Sequence, residues 1–227
     1  MNTKSSFYFT LIISVIVQII TWIIEIGTIF INVPSSYLII KQLLILEVIV
    51  QFIEGLFYVW LVYNFNGVSN VTPKRYIDWS ITTPTMLVTL VSYLIYLEYR
   101  ERNETDKLDI FNVIKDNSSN ISYIVILNWL MLLFGYLGEA EIMNKFTGIF
   151  LGFIPFIMYY YIIYKNYVSL SKNGWMIFWY FFIFWSLYGF VAALPYYLKN
   201  TLYNILDLFA KNFFGVFLSY IILTKTY

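Results

Sequence analysis

Long apolar runs, each near the length of a bilayer crossing and each ended by a short polar break, repeat along the whole chain. In lipid only a helix satisfies its own backbone over a single run of about 20 residues, so each run predicts a membrane-spanning helix. Seven spans follow, near 7–31, 38–63, 76–98, 121–139, 146–168, 174–198 and 201–225. The breaks INVPSSY, NFNGVSNVTPK, KNYVSLSKN and YLKN are short and make sequential neighbours antiparallel. Only EYRERNETDKLDIFNVIKDNSSN, between the third and fourth spans, is long and charged. It predicts a water-exposed loop with a short amphipathic helix around Leu108 to Ile114. The expected fold is an all-α, seven-transmembrane helical bundle, one domain over residues 1–227.

An odd number of spans puts the termini on opposite sides of the membrane. With the N-terminus extracellular and the C-terminus cytoplasmic, the inner segments hold Lys41, Arg100, Arg102, Lys107, Lys115, Lys165, Lys172 and Lys225. The outer ones hold Lys4, Lys74, Arg75, Lys145 and Lys199, so the positive-inside bias favours this orientation. MNTKSSFYFT runs into the first apolar stretch without a small-residue cleavage site and reads as the start of a helix, not as a removable signal.

Composition narrows the chemistry. Hydrophobic residues are 60% of the 227 and charged residues 12%, the balance of a polytopic membrane protein. The chain has no cysteine and no histidine, which excludes disulfides, Cys or His metal sites, Cys nucleophiles and His general bases. No metal site is expected. A net charge of +1 offers nothing to nucleic acid, and no nucleophile with a base is visible, so the chain is not read as an enzyme.

The remaining polar residues fall in stripes. On the seventh span Asn200, Asn204, Asp207 and Lys211 share a narrow arc, and Asp207 and Lys211 are one turn apart, about 6 Å along the axis. The third span does the same with Arg75, Asp78, Thr82, Thr85, Thr89 and Ser92. A lysine at mid-membrane costs about 3 kcal/mol unless it is partnered or used, and here Asp78 and Asp207 both offer a carboxylate. Function and a packing ion pair between helices both fit that arrangement. Ser14, Gln18, Thr21 and Glu25 line one side of the first span, and Glu47, Gln51, Glu54 and Tyr58 one side of the second. Stripes on spans one, two, three and seven predict a water-filled route whose carboxylates attract cations, interhelical hydrogen bonding being the alternative. The sequence assigns no basic partner to Glu25, Glu47 or Glu54.

Four of these strings together resemble one family. RYIDWSITTPT (Arg75 to Thr85), FGYLGEA (Phe134 to Ala140), WSLY (Trp185 to Tyr188) and LDLFAK (Leu206 to Lys211) are similar, in order, to segments of the microbial (type I) rhodopsins. The resemblance implies all-trans retinal as a Schiff base on Lys211, with Asp78 and Asp207 as the counterion pair and Arg75 beneath them. It implies further that Trp79, Trp185 and Tyr188 sandwich the polyene, that Thr82 and Thr83 line the pocket, and that Pro84 kinks the helix there. The family usually carries Pro where this chain has Gly189, and often an aromatic where it has Ala192, which implies a roomier ring end of the pocket.

Outward proton pumps of the family carry a carboxylate where this chain has Thr89, and a hydroxyl is no proton donor near neutral pH. LPYYLKNTLYN offers no acid on the outer side. Ser14, Gln18, Glu47, Glu54 and Asn200 around the retinal core instead resemble the polar set of the group 1 viral rhodopsins, light-gated cation channels of giant algal viruses. That resemblance makes these five, with Arg75, the expected ion pathway, monovalent cations or protons the expected cargo, and a host cell membrane the expected location. A light-driven outward proton pump, with Glu54 or Glu47 as relay, and a sensory photoreceptor signalling through the loop from Arg100 to Asn120 remain alternatives. A homo-oligomer is left open.

Overall fold

The computed structural model describes residues 3–224. Lys225, counted above among the inner charges, lies outside the described residues. The chain forms α1 (Thr3–Ile29), α2 (Leu38–Asn64), α3 (Thr72–Glu101), a short α4 (Ile110–Asp116), α5 (Ser118–Glu139), α6 (Lys145–Asn166), α7 (Gly174–Ala192), α8 (Tyr196–Asp207) and α9 (Phe213–Thr224). Since α8 and α9 run on as one span, seven helices among the described residues are long and apolar enough to cross a membrane. The sixth span is shorter than the sequence suggests and the seventh starts earlier. Pro195, extended at φ −60° and ψ 150°, stops one helix and opens the next.

α3 is the central helix, buried on most sides between α2 and α5, while α1 shows one broad apolar face to lipid. Its interior contains Pro84, which has no amide proton to give to the Ser80 carbonyl one turn back. The Trp129 indole on α5 donates to that carbonyl at 2.9 Å. α3 therefore runs unbroken from Thr72 to Glu101.

The charged connection forms the expected short helix, at Ile110–Asp116 and not from Leu108, and docks it on the bundle. Leu108, Ile110 and Val113 are buried against the bundle, Asp109 caps α4 by accepting from the Phe111 amide, and Gln42 of α2 donates to the same carboxylate at 2.7 Å. One feature was not legible in the sequence. Between α8 and α9 the residues Leu208–Asn212 are wound as a π-helix, and the Tyr180 hydroxyl donates at 2.6 Å to the Phe209 carbonyl in that turn.

Candidate functional site

Lys211 sits in the π turn, almost fully buried, with its Nζ where carboxylates of three helices meet. Asp78 Oδ2 of α3 accepts from it at 2.7 Å, Glu54 Oε1 of α2 lies at 3.4 Å, and Asp207 Oδ1 of α8 at 3.9 Å. Three carboxylates thus surround one ammonium, where the sequence suggested two. Glu54 is the addition, and the expectation that it lacked a basic partner is corrected. Four residues on α2 below Glu54, Tyr58 closes the other side of Asp207.

Asp207 is the most heavily bonded of the acids. The Tyr58 hydroxyl donates to Oδ2 at 2.5 Å, the Tyr188 hydroxyl to Oδ1 at 2.6 Å, and Arg75 Nη1 reaches Oδ2 at 3.2 Å. Arg75 is fully buried and anchored on its far side, with Nε donating to Asn200 Oδ1 at 3.1 Å and Nη2 to Asn204 Oδ1 at 2.5 Å. Asn200 spends its amide protons on Thr72 Oγ1 and the Tyr196 carbonyl, both at 3.0 Å. Ser14 donates to the Asn204 carbonyl at 3.1 Å. A guanidinium desolvated this completely is stable because every face has an acceptor or an aromatic ring.

On the other side of Lys211 lies an apolar cavity. Its walls include Trp79, Thr83, Trp185 and Tyr188, with Met86, Met131 and Phe156, and Lys211 closes one end. Two expectations change here. Thr82 is buried but outside this wall, with its hydroxyl donating to the Asp78 carbonyl at 3.0 Å. The room expected beside Gly189 is occupied: the Phe153 ring stands 2.5 Å from where a Cβ would be. The Thr83 hydroxyl donates likewise to the Trp79 carbonyl at 2.7 Å and also accepts from Asn128 Nδ2 at 2.7 Å, which ties α3 to α5 at the cavity edge.

All the expected path residues, Ser14, Gln18, Glu47, Glu54, Arg75 and Asn200, are buried, although not in one continuous hydrogen-bonded line. Gln18 carries an amide with no partner and lies opposite Gly55 of α2. Glu47 adjoins Thr89 of α3, whose hydroxyl proton goes to the Thr85 carbonyl at 3.0 Å. Sequence reasoning missed one buried ion pair. Lys199 Nζ meets Glu139 Oε2 at 2.5 Å, joining the ends of α5 and α8, so an acid does stand near LPYYLKNTLYN, supplied by another helix.

A buried amine, flanked by carboxylates and opening onto an aromatic cavity, is suited to hold an apolar carbonyl compound as a protonated imine. The sequence matches the family model described as "Bacteriorhodopsin-like protein" over residues 5–225, and the chain belongs to that family, the microbial rhodopsins. Its members are integral multi-pass membrane proteins that hold retinal as a Schiff base on a lysine; they transport ions or sense light and are not enzymes.

Solved structures share the fold. The viral rhodopsin OLPVRII superposes with a TM-score of 0.81 at 23% identity, over 97% of this chain and 99% of that one. Exiguobacterium sibiricum rhodopsin gives 0.77 at 15% identity, over 99% and 98%. Xanthorhodopsin, a light-driven ion pump with a dual chromophore, gives 0.75 at 18% identity, over 98% and 94%. Among curated proteins none matches the sequence.

Proposed function

We propose that Lys211 is the retinal-bearing lysine and that the chain is a light-gated cation channel, one seven-helix unit over residues 1–227 with the N-terminus extracellular and the C-terminus cytoplasmic. The residues fit the cofactor. The amine lies at the end of an apolar cavity with aromatic walls, and carboxylates stand ready for a positive charge on its nitrogen. Bound there, retinal supplies light absorption and a change of shape at a double bond.

The chain's own residues do the rest. Asp78, at 2.7 Å, is the primary counterion. Asp207 is the second, held in position by Tyr58, Tyr188 and Arg75. Trp79, Trp185 and Tyr188 orient the polyene, with Thr83 beside them.

The observation that carries the channel reading is that Glu54 lies 3.4 Å from Lys211 Nζ. A carboxylate on the polar stripe of α2 is thereby an ion partner of the chromophore lysine. Movement of that nitrogen must rearrange Glu54, and with it the contact between α2, α3 and α8. Arg75, Asn200 and Ser14 close the extracellular half in the dark, and Glu47 and Gln18 line the walls beyond. The polar set resembles that of the group 1 viral rhodopsins, which supports the same reading and a host cell membrane as the location.

A pump is the second reading, favoured by Glu47 beside Thr89, since it brings an acid from α2 to the place where pumps carry one on α3. Voltage clamp of cells expressing the chain separates the two. Photocurrent that reverses sign with holding potential is expected, with the reversal following the sodium, potassium or proton gradient that is varied. Current that stays outward at every voltage means a pump. A pigment that recovers slowly and carries no current means a sensor.

A further inference from the structure

Glu25, near the C-terminal end of α1, is fully buried, and no basic side chain pairs with it among the described residues. Its carboxylate lies against Gly215 of α9, in the space that any larger residue there would fill. Gln51 Nε2 donates to Glu25 Oε1, while Oε2 has no partner. Gln51 Oε1 in turn accepts from Thr21 at 2.9 Å and from Asn212 Nδ2 at 3.3 Å, and Asn212 is the residue after Lys211 in the π turn.

Glu47 is the next acid along, close enough to act electrostatically on Glu25. Both of its oxygens lack a donor, because Thr89 directs its proton elsewhere, and Asn212 Oδ1 is also without a partner. Unpartnered oxygens on three buried side chains, Glu25, Glu47 and Asn212, one from each of three spans, therefore lie on the side of Lys211 away from Arg75. The donors in the cluster, Gln51 Nε2, Thr21 and Asn212 Nδ2, are spent on one another's oxygens and on Glu25 Oε1, and among the described residues no ammonium group pairs with Glu25 or Glu47. A desolvated set of carboxylate and amide oxygens without donors is what a hard cation requires.

We propose that Glu25, with Glu47 and Asn212, forms an inner binding station for a monovalent inorganic cation, with Gln51 holding the Glu25 carboxylate in the notch that Gly215 leaves in α9. This rests on the channel reading and extends it, because it gives the inner half of the path a place where the ion stops. The station connects to the chromophore through one amide: rearrangement of the π turn moves Asn212, which releases or tightens Gln51 and with it Glu25. Gly215 acts by its size alone.

The test uses the full protein with retinal, reconstituted in lipid. Infrared difference spectra, illuminated minus dark, are recorded in sodium chloride and in N-methylglucamine chloride. A sodium-dependent change in the carboxyl bands is expected in the wild type, lost in Glu25→Gln and weakened in Gly215→Ala, whose methyl displaces the acid without removing it. No sodium-dependent band in the wild type, or a band unchanged in Glu25→Gln, overturns the station. Should Glu25→Gln form no pigment, Gly215→Ala decides, and an unchanged band there overturns it as well. The channel reading fails separately, through photocurrent that never reverses. A sodium-dependent Glu25 band in such a protein would keep the station and assign it to a pump.

Discussion

Tyr58 and Asp207, 149 residues apart, meet through a hydrogen bond of 2.5 Å in the bundle interior. The same hydroxyl lies 3.4 Å from Arg75 Nη1, so one phenol links the cation and the anion of a buried pair. Removing it leaves both buried charges with one partner fewer. Tyr58→Phe should lower stability by about 2 kcal/mol, within the range for hydrogen bonds to charged groups, seen as earlier thermal bleaching of the pigment. Bleaching at the wild-type temperature would mean that Tyr188 and Arg75 alone hold Asp207.

Lys211 supplies the only amine among the residues lining the aromatic cavity. Lys211→Ala should give a folded, colourless protein when retinal is added. A coloured mutant in which retinal is retained would place the attachment elsewhere.

Asp78 is the acid nearest to Lys211 Nζ, at 2.7 Å. A negative charge there stabilises positive charge at the nitrogen more in the ground state than in the excited state, where that charge is spread over the polyene. Asp78→Asn should therefore move the absorption maximum to longer wavelength. An unchanged spectrum at neutral pH would transfer the counterion role to Asp207 or Glu54.

Trp129 is half exposed on α5, and its indole proton goes to the Ser80 carbonyl that Pro84 leaves free. Trp129→Phe keeps the ring and removes the donor, with a cost of about 1 kcal/mol expected in the thermal midpoint. In the double variant with Pro84→Ala, which restores the amide, that cost should vanish.

Asp109 lies outside the spans, and its carboxyl is held below its ordinary value of 3.8, first by the Gln42 side chain and then by the Phe111 and Asn112 amides. A depressed carboxyl contributes stability that is complete above its unfolded value and lost as pH falls through the folded one. Protection factors of the α4 amides should therefore fall in acid. In Gln42→Ala the fall should be smaller, because the folded carboxyl then lies nearer its ordinary value; a fall of unchanged size would show that the backbone amides suffice.

Much of this architecture was legible in the sequence because lipid enforces it. A run of apolar residues long enough to cross must be a helix, so the number and order of spans followed from hydropathy alone, and Asp207 and Lys211 had to leave one face. The misses lie where the answer depends on contacts between distant segments. Tyr58 stood on the polar stripe of α2, yet nothing in the stripe named Asp207 as its partner. Glu54 appeared unpartnered because its cation lies 157 residues further on. The space beside Gly189 looked open because a missing side chain says nothing about which neighbour fills it, and Phe153 does. Hydropathy is also blind to a π turn, since one loosely wound turn leaves the apolar count of a span unchanged.

That turn gives the lysine a mechanical setting. A π segment holds one residue in surplus, and the surplus can move a step along the helix while the hydrogen bonds on either side survive. Re-winding by a single position swings one side chain through about 100° with little translation of the axis. At Leu208–Asn212 the polar side chains on this loosened coil are the amine and the amide next to it. Small motion at the chromophore can therefore become a rotation of Asn212, with the outer shape of the bundle conserved.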